Sequence, residues 1–164
     1  MKKNSYLPEF VYGSMDGLVT TFAIVTGSIG AALPVGVILV IGFANVLADA
    51  FSMGASSYLS AVSEESQASR PINKSIVTFV SFVILGLVPL LPFVAAFFIP
   101  EFGEYAIKTS VIATLVAFGA IGYTSGSVLG KNPILTSLRN ILIGGTAAYI
   151  AFFVGSSLSK VFGV

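Results

Sequence analysis

The chain has 164 residues, of which 55% are apolar and 9% are charged, and its mean hydropathy is +0.98. A soluble domain carries about a quarter charged residues, so a chain this apolar cannot cover a water-facing surface and lipid must be its solvent. The absence of Cys and His excludes disulfides, thiolate or imidazole metal sites and Cys or His catalysis, and the net charge of +1 gives no reason to expect a nucleic-acid partner.

Apolar runs separated by breaker residues predict five membrane-spanning helices in one domain, residues 1–164. The predicted spans cover about residues 10–33, 35–62, 75–99, 106–129 and 138–160. Each exceeds the roughly 20 residues that cross the hydrocarbon core. Helices also satisfy every backbone hydrogen-bonding group inside lipid, so the predicted fold class is an all-α integral membrane protein. Pro89 and Pro92 lie inside the third span and are expected to kink it.

The distribution of basic residues predicts the orientation. The polar residues 1–9 precede the first span without a signal-peptide cleavage site and are interpreted as retained. Placing the N-terminus in the cytosol and the C-terminus outside puts most Lys and Arg on the cytosolic side, as the positive-inside rule requires. The six cytosolic basic residues are then Lys2, Lys3, Arg70, Lys74, Lys131 and Arg139, and the two outside are Lys108 and Lys160.

Small residues recur at helical spacing in the last two spans. They predict grooves in which neighbouring helices pack closely. The residues are Gly119, Gly122, Gly126 and Gly130 in the fourth span, and Gly144, Ala148 and Gly155 in the fifth.

Two acidic residues, Asp16 and Asp49, lie within predicted spans. A charged side chain at the bilayer centre costs about 2.5–3.5 kcal/mol on insertion scales, so it is rarely found there without a partner or a function. The Lys and Arg residues of the predicted spans lie at their ends, so none is available inside the membrane to neutralise either acid. The alternative for Asp16, which is followed by Gly17, is that it caps the start of a helix.

Asn45, Asp49 and Met53 recur every four residues and share one face of the second span, beside Ser52 and Ser56. The first two spans are predicted antiparallel neighbours, which brings Asp16 and Met53 to one level. Carboxylate, amide and hydroxyl oxygens with a thioether sulfur make a site of mixed softness, which suits Fe(II) or Mn(II) better than Mg(II). The predicted metal site is Asp16, Asn45, Asp49 and Met53. A lone Met more often fills a gap in a core.

Glu64 and Glu65 follow the second span on its cytosolic side and are candidates for a cytoplasmic entrance that collects cations. Ordinary solvated acids at a helix end, paired with Arg70 or Lys74, are an equally good interpretation.

Several motifs resemble the vacuolar iron transporter family of iron and manganese transporters. They are residues 16–23 (DGLVTTFA), residues 44–53 (ANVLADAFSM) followed by 58–60 (YLS), residues 130–133 (GKNP), and residues 138–145 (LRNILIGG) followed by Ala147 and Ala148. The resemblance covers most of the chain in order.

The resemblance implies a homodimer of five-helix protomers that moves Fe(II), and often Mn(II), out of the cytosol in exchange for protons. It implies a pathway at the dimer interface lined by the first span, with metal as cargo and no cofactor. Asp16 and Met53 match membrane-embedded metal-binding positions of the family, whereas Asn45 stands where some members have Glu. Residues 63–74 leave no room for the cytoplasmic metal-binding domain of the longer members, so the chain resembles the short branch.

Other functions stay open at this stage. One is a non-transporting structural or partner subunit with the same fold, and another is a transporter of a different cation or of a small metabolite. An enzyme is not expected, because no ordered catalytic constellation is present. The membrane would be the cell membrane in a prokaryote and a vacuolar or other organelle membrane in a eukaryote.

Overall fold

The computed structural model describes residues 6–63 and 70–163, and within these ranges it contains helices and turns without strands. The elements in chain order are α1 (Leu7–Gly30), α2 (Val35–Ser63), α3 (Pro71–Leu87), α4 (Leu91–Phe98), a 3-10 turn (Pro100–Phe102), α5 (Gly103–Val128) and α6 (Pro133–Phe162). The all-helical fold class is confirmed.

Three helices have a proline in their first turn, and each begins earlier than predicted. Pro8, Pro71 and Pro133 lie in the first turns of α1, α3 and α6. A proline there is favourable because its φ is already helical and its missing N–H has no partner in a first turn. The side chain of Asn132 caps α6 by accepting hydrogen bonds from the backbone N–H groups of Ile134 (3.0 Å) and Leu135 (3.2 Å).

The third predicted span is two helices. α3 and α4 are bent by 50° at the break between them. The predicted kink near Pro89 and Pro92 is therefore confirmed, but a single continuous helix is not formed. The hydroxyl of Ser110 in α5 donates a hydrogen bond to the Pro89 carbonyl at 2.6 Å, which satisfies a backbone acceptor that the break leaves without a helical donor.

Helix α1 lies at the centre of the bundle. It packs most extensively against α3 and α6 and also contacts α2 and α5. Glycines allow these backbones to touch, because a Cβ atom at Gly17 would lie 2.5 Å from the carbonyl oxygen of Phe82, and one at Gly155 would collide with the carbonyl of Gly27. α1 is thus fixed between α3 and α6 by backbone contact.

The small-residue stripes of α5 and α6 serve packing, as predicted. Gly122 and Gly126 of α5 lie against the backbone of Ser137 and Pro133 in α6. Gly130 does not belong to this stripe, because it lies beyond the end of α5 and has a φ of +65° in the turn to α6. A glycine suits that turn since other residues rarely adopt this backbone conformation.

Among the described residues, three segments are long and apolar enough to cross a membrane: α2, Pro100–Val128 and α6. The bent pair α3–α4 makes a fourth if it is counted as one span. Helix α1 is not in this group. It carries two acids and several hydroxyl side chains, of which Ser14, Thr21 and Ser28 are buried against other helices. Aromatic side chains such as Phe51, Phe98 and Tyr149 are 72–75% exposed, as expected for a lipid-facing surface.

Candidate metal site between α1 and α2

The two acids lie near the middle of their helices. Asp49 is at the midpoint of α2, and Asp16 is in the third turn of α1, about 4 Å from the midpoint of that helix. The alternative that Asp16 caps a helix is wrong, because α1 begins at Leu7 with Tyr6 in the cap position. The carboxyl groups of Asp16 and Asp49 are close enough to repel each other. The two predicted acids are therefore on neighbouring helices and within electrostatic range of each other.

Asn45 holds Asp49 in place. Its side-chain Nδ2 donates a hydrogen bond to Oδ2 of Asp49 at 2.8 Å, one turn along the same face of α2. The amide nitrogen is a neutral donor beside the carboxylate, and the hydrogen bond fixes the orientation of the Asp49 side chain. Asn45 is a positioning residue for Asp49 in this arrangement.

Met53 lies one turn beyond Asp49 on α2 and is partly buried. It lies about 6 Å from the midpoint of α2, toward its C-terminal end. Asp16 is displaced toward the N-terminal end of α1. Residues 31–34 form the short connection between α1 and α2, so these two ends lie on the same side of the bundle. The helix bounds therefore keep the predicted common level of Asp16 and Met53.

The acid-bearing surface is open. Asp16, Asn45 and Asp49 are partly buried, whereas Ser52 and Ser56 on the same side of α2 are exposed. Within the described residues, no group of three Asp, Glu, His or Cys side chains is placed to hold a metal ion. The predicted set of two carboxylates, an amide and a thioether is smaller than the ligand set of a six-coordinate cation.

The predicted entrance at Glu64 and Glu65 lies outside the described residues. Lys74, which was a candidate partner for these acids, forms an ion pair with Glu9, its Nζ 3.5 Å from Oε1. Sequence reasoning missed Glu9 because residues 1–9 were assigned to an aqueous segment. The signal was present, since Glu9 is seven residues, or two helical turns, before Asp16 and so shares its face of α1.

Comparison with known proteins gives consistent matches. The model of the VIT family matches residues 7–70 and 62–156, two segments that meet at the connection between α2 and α3. "Vacuolar iron transporter" of Toxoplasma gondii is 26% identical over 98% of this chain and 76% of its own length. "Vacuolar iron transporter 1" of Tulipa gesneriana is 26% identical over 93% of this chain and 87% of its own length. "Vacuolar iron transporter homolog 4" of Arabidopsis thaliana is 31% identical over 93% of this chain and 83% of its own length.

The lengths of these alignments differ. The first two extend over 231 and 219 positions, more than the 164 residues of this chain, so those relatives carry inserted residues. The third extends over 170 positions. Together with the family match that is split near residues 62–70, this supports a short form in which the connection between α2 and α3 is reduced.

Proposed function

The chain belongs to the VIT family, and we propose that it transports Fe(II), with Mn(II) as a second cargo, out of the cytosol in exchange for protons. The observation that carries this proposal is the presence of two acids near the middle of α1 and α2, Asp16 and Asp49, within electrostatic range of each other. Neither acid forms an ion pair with Lys or Arg in the described part of the chain. A divalent cation between the two carboxylates would relieve their repulsion and offset its own loss of water.

The ligand types favour a transition metal as the cargo. Asp16 and Asp49 supply hard oxygen donors, Asn45 contributes an amide, and Met53 adds a soft sulfur. This mixture suits Fe(II) and Mn(II) better than Mg(II), which prefers six oxygens. The names of the relatives, which specify iron, agree with this chemistry.

We assign five spans, with α1 as the first and the bent α3–α4 pair as the third. α1 is too polar to face lipid alone, but it is in contact with four other helices of the bundle. Its buried hydroxyls then meet protein and not hydrocarbon. The basic residues favour a cytosolic N-terminus, which also puts the connection between α2 and α3 in the cytosol.

We also propose a homodimer in which the acid-bearing surface of α1 and α2 faces its mate. Partly exposed carboxylates and exposed serines do not face lipid readily. A two-fold axis beside α1 would cover them and double the number of ligands. Cysteines introduced singly at Ser14 and Thr20 separate the possible faces of α1, because Ser14 is fully buried within the protomer and Thr20 is only partly buried. Crosslinking between protomers is expected at Thr20, and its absence at every partly exposed α1 position would contradict this interface.

Reconstitution of purified protein into proteoliposomes tests the proposed function. Uptake of Fe(II), Mn(II), Co(II) and Zn(II) is measured with and without a pH gradient. We expect Fe(II) and Mn(II) uptake that is faster when the vesicle interior is acidic. Folded dimers that move no metal would instead identify a non-transporting subunit.

Proton coupling makes a separate prediction at Asp49. A carboxyl that releases its proton when metal binds links the two movements. Asp49→Asn is therefore expected to keep part of the metal transport and to lose its dependence on the pH gradient. Metal uptake by the wild type that ignores the gradient would contradict antiport.

A further inference from the structure

A cavity of about 420 Å³ with polar and apolar lining lies between α1, α2 and α3, at the end of the bundle that carries the connection between α2 and α3. Its lining is Pro8, Glu9, Tyr12, Ser56, Ser57, Ser60, Ala61, Lys74 and Thr78. A single water needs roughly 10–15 Å³ of such volume, so this cavity has room for an ion that keeps part of its water shell. It is separate from the predicted metal site, and none of that site's four residues lines it.

Glu9 is the acidic residue of this cavity, and its two oxygens differ. Oε1 pairs with the ammonium group of Lys74 at 3.5 Å. Oε2 is buried and accepts no hydrogen bond from any described residue. A buried acceptor without a donor is unfavourable. One half of the carboxylate is therefore unsatisfied while its charge is balanced from the other side.

The cavity is aligned with the acid pair. Glu9 is two helical turns before Asp16 on α1, and Ser56 is two turns after Asp49 on α2. Two turns correspond to about 10 Å along a helix. Tyr12 lies between Glu9 and Asp16 and is 62% exposed. An ion in the cavity would thus be about 10 Å from the acid pair, on the side that faces the cytosol in the proposed orientation.

We propose that this cavity is an outer binding site for a divalent cation, in which the Glu9 carboxylate is the charged ligand and Lys74 occupies the cation's place until metal arrives. This inference rests on the proposed function. The hydroxyls of Tyr12, Ser56 and Ser60 supply further oxygens. An all-oxygen set without sulfur binds hard, partly hydrated cations with little selectivity, which suits a site of first contact.

Lys74 is suited to this exchange. Its side chain is 25% exposed, and its long aliphatic stem can carry the ammonium group toward water when a metal ion replaces it at Glu9. Two positive charges cannot share one carboxylate without repulsion, so metal and Lys74 compete. The competition keeps the site closed to monovalent cations, which gain less from Glu9 than a divalent ion does.

This competition predicts effects of opposite sign for the two partners of one ion pair. Glu9→Gln removes the ligand, and the KM for Mn(II) transport should rise about tenfold. Lys74→Gln removes the competitor, and the KM should fall severalfold, with kcat kept in both variants. Lys131→Gln, which removes an exposed lysine on the same side of the bundle, is the control and should leave the KM unchanged. A purely structural ion pair would give losses in both variants, and an equal KM decrease in the control would indicate general surface charge; either result overturns the proposal.

A direct measurement of metal binding tests the outer site independently of transport. Mn(II) binding is measured by electron paramagnetic resonance on purified Asp16→Asn protein, in which the inner site is disabled. Retained binding that disappears in the double variant Asp16→Asn, Glu9→Gln supports the outer site. Glu9→Ala, which also removes the carboxylate, is the second variant if Glu9→Gln does not fold. Absent binding in the Asp16→Asn protein, while the wild type transports, overturns the outer site and leaves the proposed function intact. Binding that depends on Glu9, in a protein that transports nothing, supports the outer site and rejects the proposed function.

Discussion

Helix α1 has two kinds of contact that differ in chemistry. Toward α3 and α6 its glycines bring backbone against backbone, as at Gly17 with Phe82 and at Gly27 with Gly155. Toward α2 it packs less extensively, although α2 is its neighbour in sequence. On that side an apolar cluster that includes Val25 of α1 and Val46 of α2 lies beside the partly buried acids Asp16 and Asp49.

The contacts of α1 with α3 and α6 form the scaffold of the bundle, whereas the candidate metal site lies between α1 and α2. Backbone contacts leave no space to adjust, and close packing transmits strain, so α1, α3 and α6 form a rigid unit. The contact between α1 and α2 combines apolar packing with two acids, whose electrostatic interaction would change when a cation binds. We therefore expect cation binding to act first on the position of α2 relative to α1, within the limits set by the packing of α2 on α3.

The largest effect is expected from Asp16→Asn. This substitution keeps the size of the side chain and removes the charge that offsets dehydration of the cation, so metal uptake should fall to the level of empty vesicles. Stability should not fall, because the repulsion with Asp49 is removed as well. The measurements are proteoliposome uptake and the midpoint of thermal unfolding in detergent. Uptake above one-tenth of the wild-type rate would contradict the assigned role of Asp16.

Substitution of the next residue, Gly17, should lower stability, which Asp16→Asn is expected to leave unchanged. Gly17→Ala places a Cβ atom 2.5 Å from the carbonyl oxygen of Phe82 and forces α1 away from α3. Overpacking of this kind typically costs about 1–3 kcal/mol of unfolding free energy. Thermal unfolding in detergent measures the loss. Gly36→Ala is the control, since its Cβ would meet no atom within 4 Å, and it should be neutral or slightly stabilising. Equal stability of the two variants would contradict the backbone contact.

The smallest effect is expected at Met53. Met53→Leu keeps the volume and removes the sulfur, so Fe(II) transport should fall severalfold while transport of harder cations changes less. Met15→Leu is the matched control, because Met15 packs beside the apolar cluster of Leu18, Phe22 and Phe118 and should tolerate the change for every metal. The readout is the ratio of Fe(II) to Mn(II) uptake. An unchanged ratio with reduced transport of both metals would point to a packing role for Met53.

Local signals in the sequence predicted much of the fold, and contacts between helices accounted for the rest. Apolar length predicted the helical segments, and the prolines predicted the bend between α3 and α4. The start of α6 was misplaced by five residues, although Asn132 and Pro133 are a recognisable cap and first-turn pair. The number of spans stays a prediction, because α1 is stabilised by neighbours that composition does not reveal.

For the candidate site too, local sequence signals predicted some features, and contacts between helices determine the others. Depth and spacing predicted that Asp16 and Asp49 matter, since an acid in a membrane helix is costly. Their mutual approach depends on how α1 and α2 pack, which helical spacing does not determine. The ion pair of Glu9 with Lys74 joins residues that are 65 positions apart in the chain, so no local pattern could predict it. The pairing of Glu9 required the packing of α1 on α3.

The polarity of α1 also affects how the protein is made. A helix that lacks the apolar length of α2 gains little from entering the bilayer alone, whereas α2 enters readily. We therefore expect α1 to wait at the membrane surface until α2 has been synthesised and then to insert with it as a helical hairpin. Its backbone contacts with α3 and α6 can form only later, so the central helix of the bundle, although synthesised first, reaches its final environment only when α6 has been inserted.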